Sequence, residues 1–333
     1  MKIDNLVRII DGKLLTLPSI DSFESFVFEP SKINRGDLFF DTLSSHEKIQ
    51  EAIQKGAYAV LTTLPFMGED SEIAWIKVED KERSLIKILR YLTTQKSLKI
   101  SIATSIQASF LNALQSPKKI KILKGDIFSI AKEILKAQEE ELFCLTDKTT
   151  ALLLSPNAIE IHAPLHVEQI VSKGLFITSF LYQEHYIQEL KVPSLWVRDL
   201  VGVLIFCEQE KITFSIDSFT PIEHFYPLFV TNNIRKKEFG MSDRVLIFEE
   251  NEIFLQMGMD YLMLHAPIEN LCLCLPMGIN PTFEFKGKII SYSTCNDLED
   301  LALINFKYAL LLGKKEDFES LLTRDLSTQL TLF

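Results

Sequence analysis

The chain has 333 residues, 47% of them hydrophobic with 24 Phe, and a formal net charge of −10. That length suits two or three domains, and so apolar a composition fills sizeable cores and excludes intrinsic disorder. The acidic balance leaves only short basic clusters, Lys118-Lys119 with Lys121 and Lys124, and Arg235-Lys236-Lys237. This excludes direct recognition of nucleic acid or anionic lipid, both of which need clustered Lys and Arg.

The five cysteines, Cys144, Cys207, Cys272, Cys274 and Cys295, show no C-x-x-C spacing and read as reduced thiols, mostly packed as small hydrophobes. The first residues carry Asp4 and Asp11 within an apolar stretch, which is not the pattern of a signal peptide. The longest apolar run, residues 200–207, falls far short of the roughly 20 residues that span a bilayer. The expectation is a soluble, cytoplasmic protein with no membrane partner.

In chain order, Gly36-Asp37 forms a turn into a short apolar strand, 38–40, followed by a loop with one histidine. An amphipathic helix is expected over 47–55, with Ile49, Ala52 and Ile53 on one face, and Gly56 stops it. Strands follow at 57–62 and 73–78. Asp80 N-caps a helix over 81–92. The polar link 93–97 leads into a strand at 98–103 and then a helix.

Beyond this, 126–141 reads as helix, and 142–146 and 151–154 as strands. His162 and His166 are spaced as a helical metal-ligand pair, but Pro164 lies between them and breaks that helix. From 175 the pattern turns aromatic and period-two, predicting strands at 176–182, 200–207 and 212–216. The loop 231–243 marks a boundary. After it come strands at 244–249 and 271–275 with a helix between, a strand at 289–292, and closing helices at 298–312 and 315–325. Strand-helix alternation of this kind predicts an α/β C-terminal domain.

The order of residues across 34–61 closely resembles the N-terminal, UDP-sugar-recognising domain of the Mur ligases, ATP-dependent enzymes that add amino acids to UDP-N-acetylmuramic acid. Gly36, Asp37, Leu38 and Phe39 match the family's P-G-D-L-F, and His46, Ala52, Gly56, Ala57 and Ala59 match its later pattern. The resemblance implies an α/β fold with a Mur-ligase-like N-terminal domain at 1–95. It further implies a degenerate central domain at 96–232, a small C-terminal α/β domain at 233–328 and a terminal peptide at 329–333.

Three of the family's functional motifs are altered here. The uridine-contacting D-S-R falls on Glu29-Pro30-Ser31, and D-G-H becomes Ser44-Ser45-His46. The phosphate loop T-G-S-N-G-K-T corresponds to Ala103-Thr104-Ser105-Ile106-Gln107-Ala108-Ser109, without either glycine or the lysine. Glycines let backbone N–H groups wrap phosphates and the lysine neutralises their charge, so Thr104, Ser105 and Ser109 remain as a degenerate loop for which ATP binding is not expected. Residues 165–174 resemble a family segment whose final lysine is carbamylated, which would fall on Lys173.

The residues the resemblance implies for ligand binding are therefore Ser31, Gly36, Asp37, His46 and Lys173, with no catalytic residue, cofactor or metal site expected. The implied function is a non-ligating relative of these enzymes in peptidoglycan-precursor metabolism, binding a UDP-muramyl precursor or a partner Mur ligase; an active ATP-dependent ligase is the alternative enzyme. A separate signal is Gln329-Leu330-Thr331-Leu332-Phe333, which resembles the bacterial sliding-clamp-binding peptide. Its Gln would hydrogen-bond at one pocket while Leu330, Leu332 and Phe333 supply apolar contacts. This makes the replication clamp the alternative partner.

Overall fold

The computed structural model describes residues 1–66, 68, 70–114, 120–216 and 219–318. Its regular elements are α1 (Ile3–Ile10), β1 (Lys13–Leu14), β2 (Phe26–Val27), β3 (Leu38–Phe40), α2 (His46–Gln54), β4 (Ala59–Thr62), β5 (Ala74–Lys77), α3 (Lys81–Gln95), β6 (Lys99–Ile102), α4 (Ser105–Ala113), β7 (Lys121–Leu123), α5 (Ile127–Lys136), β8 (Leu142–Leu145), α6 (Lys148–Leu154) and β9 (Ile159–Glu160). They continue with β10 (Glu168–Lys173), β11 (Ile177–Tyr182), β12 (His185–Leu190), α7 (Val197–Gln209), β13 (Tyr226–Val230), β14 (Arg244–Glu249), α8 (Glu252–His265), β15 (Leu271–Pro276), β16 (Lys288–Tyr292) and β17 (Tyr308–Leu312). Two units form. One takes Met1–Thr104 and the segment ending at Glu160; the other takes α4 and the chain from Ile161 onward. The stretch 96–232 is thus shared between them.

In the first unit a sheet of order β1-β5-β4-β3-β2 is parallel except at β1. Period-two alternation explains its layers. Phe39, Val60 and Trp75 pack against Ile49 and Ala52 of α2, while Leu38, Phe40, Leu61 and Ile76 face the opposite way. That second face meets Leu6 of α1, Leu85 and Leu89 of α3 and Ile134 of α5, whose far side carries Ile100, Ile102, Phe143 and Leu145 of a parallel sheet of order β7-β8-β6-β9. The helices are started by local chemistry. Ser45, Asp80, Asp126 and Asp147 accept first-turn N–H groups of α2, α3, α5 and α6.

The second unit holds an antiparallel sheet, β10-β11-β12, and a sheet of order β13-β14-β17-β15-β16, parallel except at β13. Cys272 and Cys274 alternate along β15 into one core with Leu246, Phe248 and Leu311, as their spacing predicts, with sulfurs 3.9 Å apart. α4 packs on α7, and Phe110 lies 5.8 Å from Phe219.

Several expected elements are corrected. Residues 200–207 are not a strand but the middle of α7, buried on nearly every side. A helix sunk in the core reads like a buried strand, because its periodicity is lost. Residues 151–154 belong to α6, and 212–216 lie outside the named strands. The helix expected over 298–312 is a 3-10 turn at Cys295–Leu303 followed by the central parallel strand β17. Of the helix expected over 315–325, a 3-10 turn at Lys315–Phe318 is seen, and the rest lies outside the described residues. Among the described residues no helix is long and apolar enough to cross a membrane.

Candidate functional site

Parallel strands β3, β4 and β5 end at one edge of the first sheet, the side on which open α/β sheets bind ligands. The chain leaves β3 through a five-residue loop, 41–45, before α2. Asp41 is fully buried. Its carboxylate accepts the Thr62 hydroxyl at 2.7 Å and the N–H groups of Leu43 and Ser45 at 3.2 and 3.3 Å. A buried carboxylate is tolerated when its lone pairs are met in this way, and here it fixes the loop from beneath.

Above that anchor, Lys81, the first residue of α3, donates from Nζ to the Thr42 carbonyl at 2.5 Å and to Ser44 Oγ at 2.9 Å. Ser44 Oγ also lies 3.0 Å from Thr63 Oγ1. His46 opens α2 and stacks on Trp75, with centroids 6.4 Å apart and planes 24° apart. Leu43 stands 72% exposed beside this polar group. Two helices, α2 and α3, therefore start at the same edge as a lysine and two hydroxyls. Helix starts present unsatisfied N–H groups and the positive end of the dipole, so the edge suits an anionic, hydroxyl-bearing ligand.

Of the residues the sequence points to, His46 lies at this edge. Gly36 (φ 104°) and Asp37 lie at the opposite end of β3. There the Asp37 carboxylate accepts the Asn34 N–H at 2.8 Å and closes the turn that starts the strand. Ser31 is exposed in a 3-10 turn, Pro30–Lys32, packed on α2. Lys173 is exposed at the end of β10, paired with Glu189 at 2.7 Å. Within the first unit the Gly36–Asp37 turn and His46 thus lie at opposite ends of β3. Asp41, Ser44, Thr63 and Lys81 are not singled out by sequence as ligand contacts. Their signal is a polar residue directly after each buried strand, Asp41 after β3, Thr63 after β4 and Asp80-Lys81 soon after β5.

The second strand-to-helix connection of interest follows β6. Only Ala103 and Thr104 separate β6 from α4, and the Ala103 N–H is already spent on the Leu145 carbonyl at 3.0 Å. Ser105 and Ser109 lie half-buried on α4, whereas Ile106, Gln107 and Ala108 are buried, each at most 3% exposed. Among the described residues no group of three or more His, Cys, Asp or Glu is placed to hold a metal ion. Gln329, Leu330, Leu332 and Phe333 lie outside the described residues.

No family model matches the chain. No curated protein matches it. Solved structures do. The MurF ligase of Thermotoga maritima in complex with ADP superposes with a TM-score of 0.58 at 14% identity, over 86% of this chain and 93% of that one. MurF of Acinetobacter baumannii gives 0.58 at 10% identity, over 96% and 97%. The UDP-N-acetylmuramoylalanyl-D-glutamyl-2,6-diaminopimelate–D-alanyl-D-alanyl ligase of Acinetobacter baumannii gives 0.54 at 11% identity, again over 96% and 97%. The chain has the Mur ligase fold, and at such identities the likeness establishes the fold alone.

Proposed function

We propose that this chain is a non-ligating relative of the Mur ligases that binds a UDP-muramyl-type precursor at the carboxyl edge of its first sheet. The observation that carries the reading is a Mur ligase fold whose β6–α4 connection has two residues, with neither glycine nor lysine in 103–109. A phosphate-wrapping loop needs several residues of open backbone and a lysine. In the present chain Ala103 is bonded into the sheet, and Ile106, Gln107 and Ala108 are buried in the protein. The 41–45 loop has what this connection lacks, namely length and a neighbouring cation, Lys81 of α3. The structures it is similar to include a ligase whose name carries a UDP-N-acetylmuramoyl substrate, and this supplies the ligand class.

The test is calorimetric titration with UDP-N-acetylmuramic acid and its peptide derivatives. Binding is expected in the wild type and is expected to be lost in Lys81→Glu, which reverses the charge at that cluster of hydroxyls. No heat with any of these compounds would overturn the reading.

A second reading rests on the peptide Gln329-Leu330-Thr331-Leu332-Phe333, whose Gln and apolar pair suit a sliding clamp. Leu332→Ala with Phe333→Ala should abolish capture by a purified bacterial clamp; capture unchanged by that pair of substitutions would remove this reading.

A further inference from the structure

Within the 41–45 loop, Ser44 alone has left-handed backbone, φ 53°. A non-glycine residue there is strained, and such strain persists where the surroundings over-determine it. In this loop they do. Asp41 holds the amides on both sides of Ser44, and the serine hydroxyl is gripped by Lys81 Nζ at 2.9 Å and Thr63 Oγ1 at 3.0 Å. Ser44, Thr63 and Lys81 are all half-buried, so the cluster is shielded and still reachable. A strained serine on a strand-to-helix turn, at the carboxyl edge of a parallel sheet, with a base in hydrogen-bond reach, is the arrangement that activates a serine nucleophile.

We propose that Ser44 and Lys81 form a nucleophile–base pair that cleaves carboxylic esters. Lys81 Nζ takes the hydroxyl proton while Ser44 Oγ bonds to the ester carbon and the carbonyl π electrons move onto oxygen. Collapse breaks the bond to the alcohol oxygen, which leaves with the proton from Lys81. Water then attacks the acyl-serine, again giving its proton to Lys81. The carboxylic acid departs and Ser44 regains its hydrogen. One ester and one water become one acid and one alcohol. The Thr42 carbonyl, 2.5 Å from Nζ, and the Thr63 hydroxyl position the pair. An ester fits better than an amide because an alkoxide needs less help to leave than an amine, and Lys81 is the proton carrier at Ser44 Oγ. Leu43, 72% exposed next to the nucleophile, offers apolar surface to the acyl group.

The inference stands apart from the precursor reading, because acylation of Ser44 can be read whatever the edge binds. The experiment treats the full-length chain with a fluorophosphonate probe and locates the adduct by peptide mass spectrometry, alongside turnover of p-nitrophenyl acetate. Expected is an adduct on Ser44, absent from Ser44→Ala. Lys81→Arg keeps hydrogen-bond donors for the Thr42 carbonyl and the Ser44 hydroxyl, but a guanidinium cannot take the proton. Labelling and turnover should therefore fall about a hundredfold in that variant at an unchanged melting temperature, the low end of what a positioned base contributes. No adduct on Ser44 in the folded wild type overturns the proposal. So does equal labelling in wild type and Lys81→Arg.

Discussion

Two strand-to-helix connections of this molecule occupy the same place in the logic of a parallel sheet and have opposite characters. After β3 the chain spends five residues, tied by a buried carboxylate and topped by Lys81, Ser44 and Thr63. After β6 it spends two, and within the first turn of α4 it buries Ile106, Gln107 and Ala108. The carboxyl edge of a parallel sheet is a ligand site only where the connection leaves polar backbone and side chains within reach. Fold likeness covers both connections; a lysine among hydroxyls stands only at the first.

The largest expected effect attacks the second connection. Restoring a phosphate-loop lysine as Ala108→Lys places a cation at a position 3% exposed, costing about 3–5 kcal/mol for an unpaired buried charge. Urea unfolding measures the loss, and ATP–magnesium should not recover it. Recovery by ATP would break the contrast between the two connections.

Next comes Asp41→Ala, which leaves the Thr62 hydroxyl and two loop amides without their acceptor. About 2–3 kcal/mol should be lost, together with binding at the edge. If binding survives, the buried carboxylate is not what holds the loop in shape. Ser45→Ala removes the N-cap of α2 and the bond from the Lys48 N–H at 3.4 Å. It should cost about 1 kcal/mol by the same unfolding measurement.

The smallest effect is a pH dependence that separates hydroxyl from carboxylate caps. Hydrogen bonds from the Ser129 N–H and hydroxyl hold the Asp126 carboxyl below its usual value of 3.8. The Thr150 hydroxyl and N–H do the same for Asp147. A carboxyl whose pKa is lower in the folded state contributes stability that is fully present above the unfolded value and is lost as pH falls through the folded one. The Ser129 and Thr150 amides should therefore lose exchange protection in acid below about pH 4, while the Lys48 amide, held by the Ser45 hydroxyl, keeps it.

Much of the first unit is legible in the sequence. Short apolar runs mark β3, β4 and β5, Asp80 announces α3, and Gly56 (φ 100°) stops α2 in the left-handed conformation that glycine permits. The elements that escape do so for physical reasons. α7 hides its helical period because it is buried around most of its circumference. α6 follows Asp147, whose capping signal is outweighed by the short apolar run after it. The site is less legible than the fold. Gly36 and Asp37 build the turn before β3, at the far end from the 41–45 loop. Asp41, Thr63 and Lys81 come from three separate strand ends, and only the sheet register brings them together.

The contrast between the two connections is tested most directly by hydrogen-exchange mass spectrometry with each ligand in turn. A UDP-muramyl peptide should protect the stretches 41–48 and 80–84, and ATP–magnesium should leave 103–112 unchanged. Protection of 103–112 by ATP–magnesium, with none at 41–48 from the muramyl compound, would contradict the account.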